Sequence, residues 1–194
     1  MKSISHRLLG EHLAARYMQN LPSSYAKAFL LGCIQPDKNP TTYLKGSLRK
    51  QWLRGHNWEN SRRFICRTVK QLERKVLFKH TDYYRLGKLI HYTADAFTYV
   101  HNNHSGANLQ QHRRYEDALH ISLLSCLQQT SLDKIAPADS VMGTIRKYHN
   151  SYMGQPPRIH TDLQYCLSVC HYIMCSLMIN TKSAKNCKFS TISS

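Results

Sequence analysis

The chain predicts an all-α protein built as one compact multi-helix domain, and three observations lead there. Helix-forming residues dominate its 194 positions. No stretch sustains apolar–polar alternation, and the hairpin dipeptides Asn-Gly and Asp-Gly are absent. Apolar residues instead recur at helical spacing, as at Phe64, Ile65, Val69, Leu72 and Val76. A chain of this length can bury a full core in one domain, and repeats and low-complexity tracts are absent.

The elements follow in order. A first helix is expected over 5–19, since Met1 to Leu13 reads as the start of an ordinary helix. A second, over 23–33, runs into the turn Gln35-Pro36-Asp37. The third, over 59–79, buries the stripe just named and fills its other faces with Arg62, Arg63, Arg67, Lys70, Arg74 and Lys75. Asp82 marks the start of a fourth helix over 81–97, and Gln110-Gln111 lies near the start of a fifth over 109–129. Ala136-Pro137 and Gln155-Pro156-Pro157 punctuate the connections around a sixth, over 139–152. The seventh, over 160–180, contains the run Leu163 to Ile179, which has no Asp, Glu, Lys or Arg. That run is short for a membrane span and carries Gln164 and His171, so a buried C-terminal helix is expected. Residues 181–194, rich in Ser, Lys and Thr, read as a loose polar tail, which sets the domain at 1–180.

Chemistry concentrates between residues 91 and 116, where His91, Asp95, His101, His112 and Glu116 follow one another. A helix places positions i and i+4 on one face, so His91 lies over Asp95 and His112 over Glu116. With 12 His and 11 acidic residues, chance gives about 0.7 such pairs, and two are present. The segment Leu86 to Phe97 is otherwise apolar, and an Asp within it is costly unless paired or bound to metal. A buried His–Asp hydrogen-bonded pair would satisfy that requirement as well. Zinc accepts imidazole nitrogen and carboxylate oxygen, and a catalytic site uses about three protein ligands. Five candidates therefore suggest more than one metal.

The block Leu86-Gly87, His91-Tyr92, Asp95, His101, His112 and Tyr115-Glu116 resembles the signature of the bacterial zinc-dependent phospholipase C family. Ser5-His6-Arg7, the turn Leu31 to Asp37 and Arg54-Gly55-His56-Asn57-Trp58 resemble its other ligand-bearing segments, in order, over about residues 4–120. The resemblance implies the helical fold shared by that family and the zinc nucleases, and a zinc cluster that hydrolyses phosphodiesters. It implies that His56, His91 and Asp95, with Asp37, hold one zinc, and that His101, His112 and Glu116 hold a second. His6 and Asp95 would contribute to a third, with Asp95 bridging. In the family the third site is completed by an N-terminal Trp, which this chain lacks, so two zincs are expected and the third is left open. Asp37 would act as general base or outer ligand, although a Pro-Asp pair alone reads as a turn. Phosphatidylcholine-type recognition calls for an aromatic or acidic cage, which Tyr43, Trp52, Trp58, Phe97 and Tyr99 could supply if they are not core.

Formal net charge is +16, and residues 45–88 carry 13 Lys and Arg against three acids. Such a segment is either a solvated basic face or a contact for an anionic phospholipid surface, with nucleic acid the weaker partner because no base-reading motif appears. Seven cysteines at irregular spacing form no disulfide framework. The opening residues also lack the apolar run of a secretory signal, so a cytoplasmic location with reduced thiols is expected. Cys166, Cys170, His171 and Cys175 are expected to be core rather than a second metal site. His12 should turn away from His6, while His80, His120, His149 and His160 read as surface residues.

Two alternatives to a phospholipase accompany this reading. A single-strand zinc nuclease would show salt-sensitive binding to single-stranded DNA. A non-catalytic zinc-binding or membrane-interaction protein would be stabilised by zinc without turning over a phosphodiester.

Overall fold

In the computed structural model, residues 1–38, 57–102, 109–128 and 140–189 are described. Every regular element among them is helical. In chain order these are α1 (Ser3–Tyr17), α2 (Ser23–Lys38), α3 (Trp58–Glu73), α4 (His80–Ala96), a 3-10 turn (Tyr99–His101), α5 (Leu109–Gln128), α6 (Val141–Met153) and α7 (Ile159–Phe189). The protein is thus all-α and forms a single compact domain.

Helix α4 lies at the centre, touching α1, α2, α3 and α7. Its sequence explains that position. Leu86, Leu89, Ile90, His91, Thr93, Ala94, Asp95 and Ala96 are all buried, so the second half of the helix is enclosed on every side. Its first turn is fixed by Asp82, which accepts the Lys79 backbone N–H at 3.0 Å and pairs with Lys75 at 2.6 Å.

Two glycines set how closely α4 meets α2. A Cβ built on Gly32 would lie 2.2 Å from the Tyr84 carbonyl oxygen, and one built on Gly87 would lie 2.0 Å from that of Phe29. The two backbones are therefore in direct contact, which only glycine at both positions permits.

Several boundaries differ from those the sequence predicts. Helix α2 continues through Lys38, carrying Pro36 in its last turn, so Asp37 stands on the end of a helix rather than in a turn. Pro lacks only one helical donor there and is buried, and packing against α4 holds the turn in place. Helix α3 stops at Glu73, with Arg74 as its cap, so Val76 falls outside the buried stripe and is 57% exposed. Helix α7 runs on to Phe189, beyond residue 180. Its described apolar positions, from Leu163 to Met178, are largely core, and Cys166 and Cys170 are buried among them. No helix among the described residues is long and apolar enough to cross a membrane. The six cysteines described are all free.

Candidate metal centre

Five elements deliver side chains to one spot. Helix α1 brings His6, the end of α2 brings Asp37, α4 brings His91 and Asp95, and the 3-10 turn with α5 brings His101, His112 and Glu116. Two groups emerge in which the ligand atoms lie within 4.8 Å of one another: His6, His91 and Asp95, all buried, and His101, His112 and Glu116, partly buried. His56 lies outside the described residues.

Asp95 joins the groups. Its Oδ2 is 3.3 Å from His91 Nε2, while its Oδ1 is 3.1 Å from His6 Nε2 and 3.7 Å from His101 Nε2. Glu116 Oε1 is 3.5 Å from His101 Nε2 and 3.3 Å from His112 Nε2. Asp37 is farther out, with Oδ1 3.6 Å from His91 Nε2 and Oδ2 accepting the Ser3 hydroxyl at 2.8 Å.

The close α2–α4 contact has a chemical consequence. His91 Nδ1 lies 2.8 Å from the Cys33 carbonyl oxygen, which can only accept. That bond keeps the proton on Nδ1 and leaves the Nε2 lone pair aimed at Asp95 and Asp37, the arrangement that orients metal-ligating imidazoles. The His6 Nδ1 meets no partner among the described residues, and its ring is held by stacking on His91 at 3.7 Å between centroids.

One participant is the Met1 α-amino group. It is 2.6 Å from Asp95 Oδ1, 2.7 Å from His101 Nε2 and 3.2 Å from Glu116 Oε1. Burial alone would lower its pKa, but the Asp95 and Glu116 carboxylates outweigh that and raise it. A positive charge is thereby held among the carboxylates, in the kind of environment that suits a metal cation. The amine would have to lose its proton to serve as a ligand itself.

The other protonation states also suit a metal. Burial first, then the neighbouring His91, push the His6 imidazole down to about 4. Burial and the Met1 ammonium lower His101. Burial would raise both carboxyls. The Met1 ammonium and the histidines outweigh it at Asp95, and hydrogen bonds from His101 and His112 outweigh it at Glu116, so both fall below the usual carboxylate range. Neutral imidazoles beside ionised carboxylates form a donor set that fits zinc.

The remaining histidines divide. His12 turns away from the centre, as its spacing predicts, and meets His171 at 3.2 Å between Nε2 atoms. His80 and His160 are exposed, and His120 is half-buried beside Ser5 at 3.0 Å. The expectation that His149 is a surface residue is corrected. It is 4% exposed and stacks on Trp58 at 4.0 Å, and burial lowers its pKa to about 4. Val141, Ile145, His149 and Tyr152 share one face of α6, and that periodicity carried the signal. The Met1 amine and the Cys33 carbonyl escape sequence reading, because backbone groups have no residue signature.

No curated protein and no solved structure matches the chain. A family model for zinc-dependent phospholipase C, however, matches residues 5–159, which include every residue of the two donor groups. The chain belongs to the zinc-dependent phospholipase C family.

Proposed function

We propose that this protein is a zinc-dependent phosphodiesterase that cleaves phospholipid at the glycerol side of its phosphodiester. The observation that carries the reading is Asp95, whose Oδ2 faces His91 while its Oδ1 faces His6 and, at 3.7 Å, His101 of the second group. His91, Asp95 and Asp37, together with His56, would hold one zinc, and His101, His112 and Glu116 a second. His6 and the Asp95 Oδ1 would contribute to a third. When bound, zinc supplies Lewis acidity, lowering the pKa of water and offsetting charge on phosphoryl oxygens.

The chain's own groups then have separate tasks. Cys33 holds the His91 ring in the tautomer that ligation requires. Asp37, whose carboxylate accepts the Ser3 hydroxyl, would accept a proton from the attacking water or act as an outer ligand. Exposed Arg62, Arg63, Arg67 and Lys70 on α3, with its cap Arg74 and the exposed Val76 and Leu77 that follow, favour an anionic bilayer as the surface on which the enzyme works.

The test is hydrolysis of phosphatidylcholine vesicles with and without phosphatidylglycerol by zinc-loaded protein. Release of diacylglycerol and phosphorylated headgroup is expected, faster as the anionic fraction rises. Cleavage of single-stranded DNA with lipid untouched would replace the reading with a nuclease. Bound zinc with no turnover of either substrate would leave a non-catalytic zinc protein.

A further inference from the structure

Asp162 lies outside the metal centre, yet it connects the two segments that build half of it. Its side chain is buried on the first turn of α7. One oxygen, Oδ2, accepts the Tyr99 backbone N–H at 2.7 Å and also the Tyr115 hydroxyl. The other, Oδ1, accepts the Tyr152 hydroxyl at 2.9 Å. Tyr99 opens the 3-10 turn that ends at His101, and Tyr115 immediately precedes Glu116 on α5. A single carboxylate oxygen therefore ties the turn carrying His101 to the helix carrying His112 and Glu116.

We infer that Asp162 is a positioning residue for the His101, His112 and Glu116 donor set, fixing the turn and α5 in the register that lets their three side chains meet. The inference rests on that set being zinc ligands. Donor atoms on two separate segments must hold their spacing to within about 0.5 Å for a metal site to keep its affinity. Hydrogen bonds made directly to a metal's ligands are worth roughly 10–100-fold in metal affinity, and a bond that acts through the segments carrying those ligands is set at the low end of that range. Tyr152 provides an internal control. It bonds the same carboxylate but stands on α6, which brings no ligand to the centre.

The experiment measures zinc per chain and zinc affinity, by chelator competition, in the wild type, His112→Ala, Tyr115→Phe, Tyr152→Phe, Asp162→Asn and Asp162→Leu. Thermal unfolding of each zinc-free protein is recorded alongside. Tyr115→Phe is expected to weaken the affected zinc about 10-fold. Tyr152→Phe should leave that affinity unchanged while lowering the stability of the zinc-free protein about as much as Tyr115→Phe does. Asp162→Asn should keep most of the affinity, since one carbonyl oxygen can still accept from both Tyr99 and Tyr115 while Tyr152 turns to accept from the amide. Asp162→Leu, if folded, should lose the ion that His112→Ala loses. Equal zinc affinities in Tyr115→Phe and Tyr152→Phe would overturn the inference and leave Asp162 as a structural anchor of α7. A His112→Ala protein with its full zinc complement would instead overturn the ligand reading, and the inference with it.

Discussion

Gly87→Ala is expected to destabilise the protein by about 3 kcal/mol or more, far beyond an ordinary surface substitution. Helix propensity argues the other way, since Ala in a helix interior is favoured over Gly by about 1 kcal/mol. Contact decides the sign. The added Cβ would meet the Phe29 carbonyl oxygen at 2.0 Å, the Cys33 nitrogen at 2.9 Å and the Gly32 Cα at 2.9 Å. All three are backbone atoms, so no side chain can rotate aside. Relief requires α4 to lift from α2, which parts His91 Nδ1 from the Cys33 carbonyl and frees the ring that faces Asp95. Lower stability should therefore come with weaker zinc binding. Gly154→Ala is the control, because its Cβ would come no nearer than 3.5 Å to the Ser151 carbonyl oxygen. Denaturant titration of both variants checks the prediction, and similar midpoints would refute the close α2–α4 contact.

Asp95→Ala should be the most damaging single change at the centre. Its carboxylate is buried beside the Met1 ammonium at 2.6 Å and faces His6, His91 and His101. Removing one partner of a buried ion pair costs about 3–5 kcal/mol, since the remaining charge is left uncompensated. The zinc-free protein should thus be destabilised. Zinc content should also fall further than in His6→Ala or His112→Ala, because each imidazole would hold one ion whereas Asp95 would contribute to two. Elemental analysis of the three variants decides it. An Asp95→Ala protein that loses no more zinc than His112→Ala would rule out a bridging role.

What the sequence revealed depended on how local each feature is. Helical spacing and local punctuation predicted the seven α-helices found among the described residues, since both need only neighbours along the chain. Ends were less legible where tertiary contact overrides punctuation. Pro36 reads as a stop, yet α2 carries it within its last turn against α4. The stripe through Val76 predicts a longer α3 than the one that ends at Glu73. Asp95 stood out because a carboxylate in an apolar helix needs a reason to be buried. The close approach of Gly32 and Gly87 is a contact between distant parts of the chain, and a single glycine does not say what lies against it. Asp162 reads locally as an acid suited to a helix start, which conceals its hydrogen bonds to the turn before His101 and to the helix bearing Glu116.

The convergence of histidines and carboxylates on a zinc centre is tested most directly by counting zinc per chain in the purified protein, by elemental mass spectrometry, beside His91→Ala. Two or three ions in the wild type and fewer in the variant are the expected result. A wild-type protein that holds no zinc after reconstitution, or a His91→Ala variant that holds as much as the wild type, would contradict it.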